Sequence, residues 1–386
     1  MRKFILADTF FLEDKVVGPG FLEITGGRFG AFLEQRPDDL GEVLDYRGQW
    51  IAPGLVDTHI HGYQHQDVMD CDFDGLNAMS EGLLSCGVTS FLPTTLTSST
   101  ERLNSVVEMI GANHSRVQGA KIKGIFLEGP FFTEKYKGAQ NPKYFQDPSI
   151  DQLETWQELS RRGIKKIAIA PERKGAAGFV EHCVKDGIAV ALAHSDATFE
   201  EARVMVEKGA SIFVHTYNGM SPLHHREPGM VGAAMNLKDV FAEIICDGHH
   251  VHPVAAKLLM DARGRKETVL VTDCMLAGGM PEGRYQLGEF PVTVKDGTVR
   301  LESGSLAGSL LQLKDAVKNV VAWGIATPAE AIYMASTAAA KSVQLDDECG
   351  KIAPGREADF IVLTPELELT ATYLDGVCRY TSGGLT

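Results

Sequence analysis

Between about residue 50 and residue 275, short apolar runs alternate with longer stretches in which apolar residues recur every three to four positions. The short runs predict buried strands and the longer stretches predict amphipathic helices, so the alternation indicates βα units around a parallel sheet. We count eight strand-like runs, the number that closes a TIM-type (β/α)8 barrel. The runs are residues 54–61, 88–95, 122–129, 164–172, 188–195, 210–218, 240–248 and 268–274.

The chain after the eighth run and both chain ends follow a different pattern. Residues 285–303, YQLGEFPVTVKDGTVRLES, alternate around a Lys-Asp-Gly turn and predict a β-hairpin inserted before the last helix. Residues 1–50 and 350–386 contain short strand patterns with glycine turns. Neither end is long enough to bury a core alone, so we expect both to form one small β-sandwich domain. It would lie beside a catalytic barrel of residues 51–349, which makes the chain an α/β protein.

Charge and composition restrict the partners. The net charge of −14 at pH 7 argues against nucleic acid or an anionic membrane as a partner, because such proteins carry an excess of Lys and Arg. No apolar stretch approaches the roughly 18 to 20 residues of a membrane helix, and the first residues lack a signal-peptide pattern. The seven cysteines are scattered without a C-x-x-C pair, which is typical of reduced thiols. We therefore expect a cytoplasmic location.

Polar side chains stand at or just past the ends of most runs, and in a (β/α)8 barrel these ends converge on one face. One such histidine alone is more often a hydrogen-bonded residue than a ligand. A set of four histidines, one glutamate and one aspartate, however, suits Zn²⁺, Fe²⁺, Mn²⁺ or Co²⁺. The sequence therefore predicts a metal site. Its members are His59, His61, Glu128, His194, His215 and Asp273.

The pair His59 and His61 needs the rest of this set for its interpretation. Residues two apart in a strand point to the same face, so both imidazoles project together. Taken alone, the pair leaves metal binding and an ordinary hydrogen-bonded pair about equally open. Three other histidines, His224, His225 and His249, follow the predicted site closely enough to remain candidates.

Several motifs together resemble the N-acetylglucosamine-6-phosphate deacetylases of the amidohydrolase superfamily, through nearly the whole chain. They are APGLVDTHIHG, GIFLEGPFF, AHSDAT, VHTYNGMSPLHHREPGMVGA, CDGHHVHP, LVTDCMLAGG, SLAGSLL and GKIAPGREADFIVL. The resemblance implies that Glu128, His194 and His215 bind the main catalytic metal. It aligns His59 and His61 with a first-strand pair, so that a second ion could share Glu128. One or two divalent ions per subunit are expected.

The resemblance also implies the remaining roles. Asp273 is the general base, although it could be a metal ligand as well, and His250 binds the acetamide carbonyl, with His249 as its competitor. Other positions are expected to contact the sugar, the phosphate or the acetyl group. They are Ala139 and Gln140 for the sugar, Asn218 and Gly219 through backbone N–H groups and Arg226 for the phosphate, and Leu306, Ala307 and Gly308 near the acetyl group.

Three further expectations concern the assembly and two departures from the family pattern. Arg226 is expected to reach the phosphate in the neighbouring subunit of a homodimer. Gly219 occupies a position where alanine is commoner, which should change little because the contact is through the backbone. Gln140 occupies a position where several relatives have histidine, which leaves its contact with the sugar open.

The implied activity is metal-dependent hydrolysis of the acetamide of N-acetyl-D-glucosamine 6-phosphate, in amino-sugar catabolism and cell-wall sugar recycling. One alternative is the same reaction on the galacto epimer, which the sequence does not distinguish. A second is an amidohydrolase acting on a cyclic amide or aminopurine, but these commonly use a carboxylated lysine on the fourth strand, and that run ends in Ala-Pro-Glu. A third is a barrel that binds ligands without catalysis, which would not need a complete metal set.

Overall fold

The N-terminal segment forms five strands in the computed structural model, which describes residues 2–13, 15–38 and 41–384. Their side chains alternate between buried and exposed, as in Gly20–Thr25, where Leu22 and Ile24 are buried and Thr25 is exposed. These strands belong to the small domain. They are β1 (Arg2–Phe11), β2 (Val16–Val17), β3 (Gly20–Thr25), β4 (Arg28–Leu33) and β5 (Glu42–Pro53).

Eleven strands follow, and eight of them form the predicted barrel. They are β6 (Leu55–Ile60), β7 (Gly62–Tyr63), β8 (Gln66–Asp67), β9 (Val88–Thr95), β10 (Lys121–Ile122), β11 (Ile125–Phe131), β12 (Ile164–Ile169), β13 (Ala189–Leu192), β14 (Ile212–Phe213), β15 (Phe241–Ile244) and β16 (Thr268–Leu270). The barrel order is β6-β9-β11-β12-β13-β14-β15-β16, with every neighbouring pair parallel. A parallel bridge between Ile60 and Cys274 joins the last segment to the first. Helices cover the outside, which explains why these strands are apolar on both faces.

The described residues also form ten α-helices. They are α1 (Phe73–Leu83), α2 (Thr100–Asn113), α3 (Ile150–Leu159), α4 (Ala176–Lys185), α5 (Phe199–Glu207), α6 (Gly229–Asn236), α7 (Pro253–Arg263), α8 (Leu313–Ala322), α9 (Pro328–Met334) and α10 (Thr337–Ser342). Six 3-10 helices add single turns at Val68–Asp70, Leu84–Cys86, His114–Arg116, Glu134–Tyr136, Pro142–Tyr144 and Arg265–Glu267. Helix α2 is representative, because Leu103, Val107 and Ile110 form its buried stripe and the Ser99 side chain caps its first turn.

The insertion after the eighth barrel strand is larger than predicted. Three antiparallel strands form it, β17 (Gly283–Leu287), β18 (Phe290–Lys295) and β19 (Thr298–Leu301), so the predicted two-stranded hairpin is only its second half. The turn between β18 and β19 contains Asp296 and Gly297, both with positive φ (49° and 71°), as a tight hairpin turn requires. Three helices, α8 to α10, follow the insertion instead of one.

The chain ends in β20 (Phe360–Leu363), β21 (Leu369–Leu374) and β22 (Val377–Thr381), which return to the small domain. As predicted, both chain ends pair there, in the order β22-β21-β20-β5-β1-β3-β4, with β2 on β1. The sheet curls so that the ring of Phe29 on β4 lies 6.2 Å from that of Phe360 on β20, and its two halves enclose a core. The sandwich is therefore one sheet folded on itself.

The small sheet and the barrel are joined at Gly54, between the end of β5 at Pro53 and the start of β6 at Leu55. The predicted division at 50/51 thus falls inside β5, and the assignment of three segments to two domains stays a prediction. Within the described residues, none of the helices has the length and apolar character needed to cross a membrane.

Candidate metal centre and active site

The six predicted metal-site residues come together at the C-terminal end of the barrel. The histidines of the first run lie at the end of β6, and Glu128 lies within β11. His194 and His215 follow the short strands β13 and β14, and Asp273 follows β16. All parallel strands of the barrel end on the same face, which is why residues up to 214 positions apart in the chain meet here.

Glu128 is at the centre of the cluster. Its Oε1 lies 3.3 Å from Nε2 of His59 and 3.3 Å from Nε2 of His215. The same oxygen is 3.4 Å from Nε2 of His194, and Oε2 is 3.3 Å from Nε2 of His61. Two groups of three ligand atoms result, and Glu128 belongs to both. They are His59, His61 and Glu128, and Glu128, His194 and His215.

Asp273 lies against the first of these groups. Its Oδ1 is 3.2 Å from Nε2 of His61 and 3.4 Å from Nε2 of His59. The backbone fixes this position, because the N–H of Asp273 donates to the carbonyl of His59 (2.9 Å) and its carbonyl accepts from Ser309 (2.7 Å). The carboxylate can therefore reach a group bound at the cluster from the side of β6.

The buried carboxylates and imidazoles shift one another's pKa values. Burial opposes a charge on the histidines, but Glu128 and Asp273 outweigh it and raise the pKa of His59 to about 9 and that of His61 to about 10. Burial lowers the pKa of His215 despite the nearby Glu128. Burial alone would raise the pKa of Glu128, yet the surrounding histidines, His59 first, hold it well below its usual range. The cluster thus binds either protons or a competing cation.

Hydrogen bonds on the far side of two rings orient them toward Glu128. The Nδ1 of His61 is 3.2 Å from the carbonyl of Thr94, and the Nδ1 of His194 is 3.0 Å from the carbonyl of Tyr136. A carbonyl only accepts, so each Nδ1 carries a proton, and in the neutral imidazole each Nε2 keeps the lone pair that binds a metal. This is the arrangement found around metal-binding histidines.

Three of the cluster residues have the left-handed backbone conformation that non-glycine residues rarely adopt. The φ angles are 44° at His194, 30° at His215 and 51° at Asp273. Each such residue costs of the order of 1–3 kcal/mol, and such costs are characteristic of functional sites. The strain falls on the residues that follow strand ends, where the chain turns sharply to aim a side chain inward.

Most of the predicted substrate-binding residues line a single cavity of about 280 Å³ above the cluster. Those present in its wall are Ala139, Gln140, Asn218, Gly219, His250, Leu306 and Gly308, together with His61, Glu128, His194, His215 and Asp273. His59 and Ala307 are buried behind the wall. Arg226 lies outside it, on an exposed loop. A larger cavity of about 540 Å³ near Lys121 is elsewhere in the fold and contains none of the predicted residues.

Gln140 uses both ends of its side-chain amide within the protein. Its Nε2 donates to Oε2 of Glu128 at 2.6 Å, and its Oε1 accepts from the N–H of Thr97 at 3.0 Å. The residue is 3% exposed. In this arrangement the amide holds the central carboxylate, which is a role that the sequence did not suggest.

His250 and His249 are clearly distinguished by their surroundings. The Nδ1 of His250 lies 2.7 Å from Oδ2 of Asp247, so the N–H there donates to the carboxylate and Nε2 is the ring atom left for the cavity. The other oxygen of Asp247 accepts from both backbone N–H groups of His249 and His250. His249 is exposed and packs toward Gly297 of the insertion, away from the cavity lining.

The two predicted phosphate donors differ in availability. The N–H of Asn218 donates to the carbonyl of His215 at 3.0 Å, so it is already used. The N–H of Gly219 has no acceptor among the residues that the structure describes. A Cβ added at Gly219 would lie 2.8 Å from Nδ1 of His194, and the residue has a φ of 60°. A methyl group added at this position would therefore press on His194, and the expectation that the departure from alanine changes little stays a prediction.

Two charged residues of the barrel interior were absent from the sequence-based set. Lys166 of β12 and Glu243 of β15 are both fully buried and contact each other beneath His59. The available signal was a charged residue within an otherwise apolar strand, one in β15 and two adjacent lysines in β12, which is rare unless the buried charge is paired. Lys166 is on the fourth barrel strand, but its Nζ contacts Glu243 and Thr58. The sequence argument against a carboxylated lysine therefore applies only to the end of the fourth strand. Lys166 lies within that strand.

Comparison with known proteins gives a consistent result. The amidohydrolase family matches residues 50–378. An N-acetylglucosamine-6-phosphate deacetylase of Vibrio furnissii is 40% identical over 84% of this chain and 82% of its own length. An N-acetylgalactosamine-6-phosphate deacetylase of Escherichia coli O157:H7 is 39% identical over 86% and 89%. A mutant N-acetyl-D-glucosamine-6-phosphate deacetylase from Mycobacterium smegmatis, solved in complex with N-acetyl-D-glucosamine-6-phosphate, superposes with a TM-score of 0.92 at 27% identity, over 98% of this chain and all of that one.

Proposed function

This chain belongs to the amidohydrolase family, and we propose that it is a metal-dependent deacetylase of N-acetyl-D-glucosamine 6-phosphate. The products are D-glucosamine 6-phosphate and acetate, within amino-sugar catabolism and cell-wall sugar recycling. The observation that supports this most directly is the complete set of four histidines, Glu128 and Asp273 at the mouth of one barrel. A non-catalytic binding protein would not need both the ligands and the base.

The ligand atoms fit a divalent transition metal such as Zn²⁺, Fe²⁺, Mn²⁺ or Co²⁺. Oε1 of Glu128 and Nε2 of His59 are buried without a hydrogen-bond partner among the described residues, and imidazole and carboxylate are suitable ligands for these ions. Glu128, His194 and His215 would hold the main ion, and His59 and His61 with Glu128 would hold a second. When bound, such an ion polarises the acetamide carbonyl and lowers the pKa of an attacking water.

Asp273 then has two proton transfers to perform. It accepts a proton from the attacking water as the new C–O bond forms at the acetyl carbon. It returns that proton to the nitrogen as the C–N bond breaks, which releases the amine and acetate. Its contacts with His59 and His61 are equally compatible with an additional ligand role.

His250 and the cavity wall position the substrate. Asp247 accepts the N–H at Nδ1 of His250 and stabilises the imidazolium form, in which Nε2 also carries a proton and donates it in a hydrogen bond to the acetamide carbonyl and the oxyanion that develops there. Leu306, Ala307 and Gly308 lie near the acetyl group, and Ala139 with Gln140 lies near the sugar. Gly219 offers its backbone N–H to the phosphate, whereas Asn218 contributes only after its bond to His215 opens.

Arg226 supplies the remaining phosphate contact from the neighbouring subunit of a homodimer. Residues 222–227 form an exposed loop, and its Leu223 is 55% exposed. Helix α7, which packs beside the α6 that follows the loop, exposes Val254 and Leu258 by 62% and 58%. Large exposed apolar side chains near a functional arginine favour an interface with a second copy of the chain.

Mixed dimers test this assignment. Arg226→Ala should mainly raise KM, because phosphate binding is shared by the ground and transition states. In a heterodimer of Arg226→Ala and Asp273→Asn chains, one site would have its own Asp273 and an intact partner arginine. The heterodimer should therefore have about half of the native activity, since one of its two sites is complete. No recovery in a verified heterodimer would return Arg226 to a role in its own subunit.

The galacto epimer remains a second candidate substrate, because the relatives of nearly equal identity include deacetylases of both sugars. Release of acetate from the two epimeric 6-phosphates, measured with and without added metal after chelation, tests the proposal. We expect faster release from the gluco epimer and loss of activity on chelation. Faster release from the galacto epimer would make that epimer the preferred substrate. Activity that does not change with metal would refute the metal-dependent reaction.

The location proposed for this enzyme is the cytoplasm. All seven cysteines are unpaired, at positions 71, 86, 183, 246, 274, 349 and 378. Unpaired, mostly buried thiols suit a reducing compartment, and a small phosphorylated sugar is an intracellular type of substrate.

A further inference from the structure

Beneath the metal centre, three fully buried polar side chains form a row across the barrel interior. Lys166 projects inward from β12, Glu243 from β15 and His59 from β6, and each is 0% exposed. An ionised lysine and glutamate are almost never fully buried unless they are paired with each other or with a ligand. The reaction described above uses neither of them directly.

The ammonium of Lys166 makes two hydrogen bonds and one cation–π contact with its surroundings. It donates to Oε1 of Glu243 and to the carbonyl of Thr58, the latter at 3.3 Å. It also lies 3.7 Å from the centre of the Phe126 ring, a close cation–π contact. These contacts fix the glutamate from below, and the hydroxyl of Thr58 reaches the same Oε1 at 3.4 Å.

The other oxygen of Glu243 faces the histidine. Its Oε2 lies 3.6 Å from Nδ1 of His59, and both atoms are buried without another hydrogen-bond partner among the described residues. A small shift of either side chain converts this approach into a hydrogen bond from the N–H to the carboxylate. The geometry leaves Nε2 on the opposite edge of the ring, directed at Glu128 and Asp273.

His59 is thus distinguished from the two other histidines whose Nδ1 has a defined acceptor. His61 and His194 face the neutral carbonyls of Thr94 and Tyr136, whereas His59 faces a carboxylate. A carboxylate acceptor makes an imidazole a stronger metal ligand than a carbonyl does. We propose that Glu243 and Lys166 are positioning residues that hold His59 with Nε2 toward the metal, an inference that rests on the proposed metal-dependent function.

The lysine is needed because Glu243 could not be ionised alone in the barrel interior. Removing one partner of a buried ion pair leaves an uncompensated charge, whereas replacing both partners by apolar residues is often neutral for stability. Stability alone therefore gives no reason for this pair. Its orientation toward His59 gives one.

Two double variants separate positioning from packing. Lys166→Met with Glu243→Met removes both charges and the acceptor, and Lys166→Met with Glu243→Gln keeps a neutral carbonyl acceptor. Metal-free protein is titrated with Co²⁺ or Zn²⁺ against a competing chelator. We expect the affinity of the weaker-held ion to fall by about 10- to 100-fold in the Met variant, and by less in the Gln variant. Thermal unfolding of each variant reports whether the fold is retained.

A control removes a part-buried ion pair far from the metal centre, in which the lysine is buried and the glutamate is exposed. Lys351 is 9% exposed and pairs with Glu13 at 2.9 Å, between the barrel and the small domain. Lys351→Met with Glu13→Gln should leave the metal affinity at the native value. A Lys166/Glu243 variant that folds and binds metal as tightly as native protein would overturn the proposal.

A measurement on native protein avoids the risk that a variant fails to fold. In zinc-loaded, ¹⁵N-labelled protein, His59 should retain a proton on Nδ1 that exchanges slowly with solvent. A metal-bound Nδ1, or a His59 that binds no metal, would refute the inference. If native protein releases acetate and the variants bind metal as tightly as native protein, only the positioning role is refuted. If native protein neither binds metal nor releases acetate, the proposed function is refuted as well.

Discussion

Besides Glu128, the candidate ligand set contains two pairs of histidines that the fold holds in different ways. The inner pair, His59 and His61, is part of β6 and the residue after it, where strand pairing fixes the backbone. The outer pair, His194 and His215, follows strands of only four and two residues and has strained left-handed φ angles. Regular structure therefore positions the inner pair, and loops that line the cavity position the outer pair. The two pairs should respond differently to mutation and to pH.

Replacement of an outer ligand should have the largest effect. His194→Ala removes a proposed ligand of the main ion, so metal per chain and activity should both fall, the latter by about 10³-fold or more, since a polarising ion contributes several kcal/mol. His59→Ala should cost less metal and less activity. Elemental analysis and acetate release measure both. Equal metal loss in the two variants would mean that the inner and outer pairs form a single shared site.

Asp273 contacts the inner pair of histidines. Its replacement tests whether this part of the cluster takes part in catalysis or has only a structural role. Asp273→Asn should retain metal but lower kcat by at least about 10²-fold, the contribution of a positioned proton acceptor. Metal content and kcat are measured on the same preparation. Near-normal kcat with full metal would exclude the base role, and loss of metal would make Asp273 mainly a ligand.

The inner and outer pairs were both predictable from sequence for a common physical reason. A parallel barrel brings all strand ends to one face, so polar residues at the ends of apolar runs must meet there. The count of eight runs was enough to predict that His59, Glu128 and His215 lie on that face. The domain formed by the two chain ends was predictable in a similar way, because neither end could bury a core alone.

The contacts around the ligands were not predictable, because they depend on side-chain directions. Lys165 and Lys166 are adjacent in sequence, and only the strand register shows that Lys166 points inward, toward Glu243. The amide of Gln140 lies in a loop after β11, and nothing in the local pattern directs it to Glu128. Strand β17, the first of the insertion, was not recognised as separate because a single alternating pattern covered β17 and β18 together.

The pH dependence of metal binding should sharpen the contrast between the two pairs. The carboxylates raise the pKa of His59 to about 9 and of His61 to about 10, so both hold protons that a metal must displace at neutral pH. Affinity at the inner pair should therefore rise with pH, by up to about tenfold per unit for each proton released. Burial lowers the pKa of His215, which favours its neutral form, so binding at the outer pair should change less. Co²⁺ titrations of metal-free protein at pH 6, 7 and 8 measure this, and equal slopes for two ions would contradict the distinction.

The smallest expected effect concerns the support of the outer pair. In Gly219→Ala, the added methyl group would lie 2.8 Å from Nδ1 of His194 and compete with the hydrogen bond from that ring to Tyr136. We expect about a tenfold loss of affinity for the main ion, the lower end of what a support contact contributes, with the inner pair unchanged. Gly187→Ala is the control, since Gly187 has a similar φ of 70° but nothing within 4 Å of an added Cβ. Both variants should lose about 1 kcal/mol of stability from the left-handed backbone, so metal affinity is the readout that separates them. Unchanged affinity in Gly219→Ala would show that metal binding at the outer pair tolerates displacement of the His194 ring. The strained backbone would then not be required to hold that ring in one position.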